Sequence, residues 1–178
     1  MDAAVANKLT SKSSVTELLK FSMDEKKPPK NIFEAAQRND AGYIKKIAER
    51  TLDFNVNMRD QLQRTALHWA AELGNIEAAE LLIDFGIDVK AVECNGRTAV
   101  HLAARSGDRG MLECIMELIS PEERTEMINQ ADNFGVTPLY LARQKDKDGQ
   151  DAFEYMILNG GRINEDAKKP AVTTSAAS

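Results

Sequence analysis

The phrase Thr65-Ala66-Leu67-His68-Trp69-Ala70-Ala71 returns 33 residues later as Thr98-Ala99-Val100-His101-Leu102-Ala103-Ala104. Each copy is followed three positions on by a glycine, Gly74 and Gly107. A seven-residue phrase in register with its glycine commits the chain to a repeat architecture. Each unit then buries its apolar face only against its neighbours. Paired alanines in both copies suit closely approaching helices, and a glycine after a helix suits the left-handed position that ends it. Thr65 and Thr98 fit the helix N-cap, where a hydroxyl accepts from backbone N–H groups of the first turn.

Composition narrows the function classes. The 178 residues carry a net charge of −5, unevenly placed. Residues 1–30 hold six lysines against four acids, whereas residues 31–164 hold 15 Lys/Arg against 22 Asp/Glu. An acidic body argues against a nucleic-acid reader, which needs clustered cations, and against docking on anionic membrane. No apolar run approaches the ~18 residues of a bilayer span, so no membrane insertion is expected. The Met1-Asp2-Ala3 start shows no signal-peptide pattern. Two cysteines and two histidines are too few for a disulfide scaffold or a zinc site. No nucleophile–base pair, phosphate loop or paired-carboxylate signature occurs. The expectation is therefore a non-enzymatic chain with no cofactor and no metal, in a cytoplasmic setting or the nucleus.

The period and the T-P-L-H-x-A-like core resemble the ankyrin repeat. Four units fit that resemblance, at residues 31–59, 60–92, 93–131 and 132–164. The second and third are close matches. The fourth opens Asp132-Asn133-Phe134-Gly135-Val136-Thr137-Pro138-Leu139-Tyr140-Leu141-Ala142 and keeps the proline after threonine. The first is recognised mainly by position, through Ile32-Phe33-Glu34-Ala35-Ala36. Its Glu34 occupies the slot of Trp69 and Leu102, a placement that fits a water-facing N-terminal cap. Arg143, in place of the second alanine, fits a C-terminal cap. The resemblance implies an all-α solenoid of helix-turn-helix units with hairpin-like tips, concave along tips and first helices and convex along second helices.

Helices are expected over residues 65–73 and 76–84 in the second unit. Six residues are extra between Thr98 and Thr137. Ser120-Pro121-Glu122-Glu123 accounts for them as a capped helical turn over residues 121–127. Residues 1–30 read as a mostly flexible leader. Ser14-Val15-Thr16-Glu17, followed by Leu18, Leu19, Phe21 and Met23, predicts a short, marginal helix over residues 14–23 that frays or packs onto the first repeat, the alternative being a short linear motif that folds onto a partner. Residues 165–178 read as a disordered tail.

The resemblance gives His68 and His101 a structural role, bridging to threonine and to neighbouring backbone. Trp69 falls on a packing slot of the first helix. Cys114, among Met111, Leu112 and Ile115, is expected to be inert core, and Cys94 to be accessible on a tip. The positions left over are Arg38, Leu62, Arg64, Leu73, Cys94, Asn95, Arg97, Arg105, Phe134, Val136 and Lys145. They place arginines on the concave side, while Glu77, Glu80, Asp84, Glu113 and Glu117 gather on the convex side. Arginine pairs bidentately with carboxylates. The partner is therefore expected to be another protein, through an acidic and partly apolar segment, with the free chain a monomer. The alternative is a structural subunit fixed in a large assembly.

Overall fold

The computed structural model describes residues 28–117, 119–145 and 150–163. The expected 14–23 helix, most of the leader, the 165–178 tail and most of the charged stretch at 145–149 lie outside them. Nine helices occur among the described residues, and no strand. They are α1 Ile32–Gln37, α2 Ala41–Arg50, α3 Ala66–Leu73, α4 Ile76–Asp84, α5 Ala99–Ser106, α6 Arg109–Met116, α7 Pro121–Asn129, α8 Pro138–Gln144 and α9 Gln150–Leu158. Two rows result. The first helices stack as α1, α3, α5 and α8, and the second helices as α2, α4, α6 and α9.

Alanine sets the spacing of the first row. Ala35, Ala36, Ala70, Ala71, Ala103, Ala104 and Ala142 are each buried to within 1% of full closure, so backbones approach with no bulk between them. Arg143, in register with Ala71 and Ala104, is exposed, with no described unit packed beyond it. Leu82, Leu112, Ile115, Met116 and Met156 fill the space between the rows. Each such side chain contributes roughly 1.5–3 kcal/mol by leaving water.

Helix ends follow the residues. Gly74 and Gly107 take φ of 70° and 76° as left-handed caps of α3 and α5. Asn75 donates its side-chain amide to the carbonyls of Ala36 and Gln37, at 2.7 and 2.9 Å, closing the end of α1 from the next unit. The added segment is larger than one turn. Ser120 and Glu123 close a capping box, Pro121 takes the first position, and the nine residues of α7 run to Asn129 with Met127 and Ile128 buried. The two buried anchors extend it beyond the expected Met127.

Candidate functional site: the tips and the first-helix face

Each tip is built on one carboxylate. Asp60 accepts from the N–H groups of Leu62 and Arg64 at 2.8 and 2.9 Å, and Asp132 from those of Phe134 and Val136 at 2.9 Å each. In the third unit the longer Glu93 reaches only the Asn95 N–H, at 3.1 Å, and its second oxygen takes the Asn95 amide and the Cys94 thiol. The tips then link across units. Cys94 N–H donates to the Leu62 carbonyl at 3.0 Å, and Asn133 N–H to that of Asn95 at 2.9 Å. Sequence reasoning missed this trio. The signal was present, an acid five residues before each motif threonine.

The motif histidines tie tip to helix. Thr65 N–H donates to Nδ1 of His68 at 3.1 Å, and the Thr65 hydroxyl lies 2.9 Å from the same nitrogen. Nδ1 therefore accepts, and Nε2 carries the proton it donates to the Arg97 carbonyl at 3.0 Å. Burial holds His68 below its ordinary pKa, partly offset by that carbonyl. His101 repeats the contacts to Thr98 at 3.1 and 3.0 Å, but its Nε2 is buried with no hydrogen-bond partner. Burial pushes its pKa down to about 4.

The arginines do not form the free flank expected. Arg64 retains only 16% side-chain exposure: its guanidinium lies 4.7 Å over the Trp69 ring and pairs with Glu72 at 2.7 Å. Arg97, at 22%, pairs with the fully buried carboxylate of Asp132 at 2.8 Å. Both turn inward because a carboxylate of their own stack stands within reach, and a desolvated charge needs a partner. Burial alone would raise the Asp132 carboxyl. The Arg97 bond and the two tip N–H groups outweigh it and hold the pKa below the usual value. Arg38 pairs with Glu34. Arg105, 43% exposed, holds the second oxygen of Glu72, so one carboxylate serves two guanidinium groups.

The remaining candidates divide. Leu62, Leu73 and Phe134 are open to solvent at 47%, 53% and 56%, and Lys145 is exposed at the end of α8. Tyr140, not among the expected contacts, joins them at 39%. Asn95 and Val136 are half-buried and spend their polar groups on the tips. Cys94 is exposed, and its bond to Glu93 raises the thiol pKa. Cys114 is not deep core: it is half-buried on the second-helix side beside Glu80, Ile83, Asp84 and Glu117, and burial pushes its pKa up to about 11. The α6 helix turns Met111, Leu112 and Ile115 inward and leaves Cys114 at the edge of that stripe.

Trp69 behaves as packing, its Nε1 donating to Asp60 at 3.0 Å. Among the described residues no group of three or more His, Cys, Asp or Glu is arranged to hold a metal ion. No described helix is long and apolar enough to cross a membrane.

Comparison with known proteins agrees with this geometry. A family model for ankyrin repeats (three copies) matches residues 2–92, 32–119 and 90–167. Mouse inversin is 30% identical over 87 residues, 49% of this chain and 8% of that protein. Human ankyrin repeat domain-containing protein 63 is 34% identical over 87 residues, 49% of this chain and 22% of its own length. A transient receptor potential cation channel subfamily A member 1 homolog of Caenorhabditis elegans is 27% identical over 140 residues, 79% of this chain and 11% of that one. The chain thus spans less than a quarter of each of these relatives. The repeating tips, the two helical rows and a family match running across most of the sequence lead to one conclusion: this chain belongs to the ankyrin repeat family, a fold used to bind other proteins.

Proposed function

We propose that the chain is a non-enzymatic adaptor or regulatory subunit that grips a partner polypeptide along its tips and first-helix face. The observation that carries this reading is the exposure of Leu62, Leu73 and Phe134, large apolar side chains on the tips and at the end of α3, which are among the several that the scaffold leaves open. Rigid tips present them at little entropic cost. Single exposed leucines need no explanation, but apolar side chains open on the tips and a first helix, with exposed Arg105 and Lys145 on first helices, would supply the apolar anchors and charged rim of an interface.

The charge requirement on the partner is smaller than the sequence suggests. Arg64 and Arg97 are committed to Glu72 and Asp132. Arg105 is half-compensated and exposed, and Lys145 is exposed. The partner segment is therefore chiefly apolar, with a carboxylate placed for Arg105.

A photo-reactive residue at Leu73 should cross-link a partner in native extract, while the same group at Glu77 on the second-helix side should not. Equal yields at both positions would discard the reading. A Leu62→Asp/Leu73→Asp variant should reduce capture at least about tenfold without altering helicity, as expected when central apolar anchors are lost.

A further inference from the structure

We propose that the far end of the stack, at α8 and α9, is a second docking site, taking an acidic segment of a partner protein with one apolar side chain in a cleft and a carboxylate against Arg143 and Arg162. The site is separate from the tips and goes beyond the reading above. Ile44, Ala79 and Leu112 hold equivalent positions in the second helices of the first three units, and each is fully buried. Phe153 holds that position in α9 and is only half-buried. Beside it opens a cleft whose apolar lining is Leu139, Phe153 and Ile163, the last 53% exposed. The segment carrying Ile163 is fixed from α7. Asn129 donates its side-chain amide to the Gly160 carbonyl at 2.9 Å and accepts from the Arg162 N–H at 2.8 Å.

The polar side chains of the cleft all have protons to give. They are Thr137, Tyr140, Arg143 and Arg162, with no acid among them. Guanidinium groups only donate. The Tyr140 hydroxyl oxygen already accepts from the Gln144 amide at 2.7 Å, and that of Thr137 from the Tyr140 N–H at 3.3 Å, so each keeps its O–H to donate. Arg38, Arg64, Arg97 and Arg105 are matched to carboxylates of the stack. No ion pair among the described residues involves Arg143 or Arg162. Two unmatched cations over an apolar cleft select a ligand that brings carboxylates and one apolar group.

Arg143 also decides what kind of chain can enter. Ala36, Ala71 and Ala104 stand at its position in α1, α3 and α5, each fully buried where the next helix closes. An arginine there holds a neighbouring helix off, whether it comes from a further unit of this kind or from a second copy stacked end to end. An extended segment needs no such approach, because it reaches the cleft with single side chains. Its apolar residue is buried against Phe153 and Ile163, and its acid pairs at the rim.

NMR titration of the full chain tests this with the peptide acetyl-Glu-Glu-Leu-Phe-Glu-Glu-amide. The peptide should shift the amides of Tyr140, Phe153 and Ile163 saturably. Versions with glutamine for glutamate, or serine for the apolar pair, should bind at least about fivefold more weakly. Arg143→Glu/Arg162→Glu should weaken binding at least about tenfold with melting unchanged, both side chains being exposed. Leu62→Asp/Leu73→Asp should leave it intact. Loss in that variant alone would seat the peptide on the tips, overturning this site but not the adaptor reading. Self-association abolished by Arg143→Glu/Arg162→Glu would make a second copy the occupant and overturn the assignment. No saturable shift at the three amides, or equal binding of any control peptide, overturns it as well.

Discussion

The second and third units carry the same phrase, yet the junctions that follow them are held differently. Between the second and third, His68 reaches the Arg97 carbonyl, Cys94 N–H the Leu62 carbonyl, and Arg59 the Val92 carbonyl at 2.7 Å. Between the third and fourth, His101 Nε2 closes no such hydrogen bond, although the Val136 and Gln130 carbonyls stand near enough to favour its proton. There the buried Arg97–Asp132 pair and Asn133 do the joining. The covalent difference is the six added residues that carry α7. A motif thus fixes what happens inside its own unit, while the bond it makes to the next depends on what intervenes.

The largest expected effect breaks the second kind of junction. Asp132→Ala removes two tip bonds and strands Arg97, and should cost about 3 kcal/mol in urea unfolding. Glu93→Ala, at the equivalent position without a cross-unit arginine bond, should cost about 1 kcal/mol. Equal losses would show that the ion pair is not what distinguishes the junctions.

Acid should probe the same contrast. The folded His101 ring resists protonation down to about pH 4, against 6.5 for the ordinary side chain. The unfolded chain therefore takes up that proton first. Stability from this group is complete above pH 6.5 and falls as pH drops through 6.5 towards 4, by on the order of 3 kcal/mol. His101→Asn should flatten that part of the pH profile, and a profile as steep as the parent's would contradict the assignment. His68 contributes with the same sign.

Smaller differences sharpen the picture. His68→Ala should cost about 1 kcal/mol more than His101→Ala, because only the first leaves a carbonyl of the next unit without its donor. Paired melting curves would decide it. At the tips, Gly96 and Gly135 both take φ 76°, while Gln63 holds the equivalent turn at 61°. Gln63→Gly should therefore stabilise the fold by up to about 1 kcal/mol. Gly96→Ala should do the reverse, since an added Cβ would meet the Asn133 side chain at 2.4 Å.

Much of the fold was legible because it is local. Periodicity and glycine position placed α3 and α4 to within a residue, and the Ser-Pro-Glu-Glu signature announced α7. The candidate site was legible only in part. Leu62, Leu73 and Phe134 are exposed as expected, because their register points them away from both rows. Arg64 and Arg97 are not, because their carboxylate partners lie eight and 35 residues along the chain. Cys114 was misplaced for a related reason: its neighbours in sequence are buried, but the helix turns it towards Glu80 and Asp84.

The sequence by itself determined the repeat, its period, the capped helices and the family, since each rests on residues within one unit. Tertiary structure alone decided which charges are spent, which histidine is bridged and which apolar side chains remain open. Those outcomes depend on distances between units, and a buried charge or donor takes whichever partner the stack brings within about 3 Å.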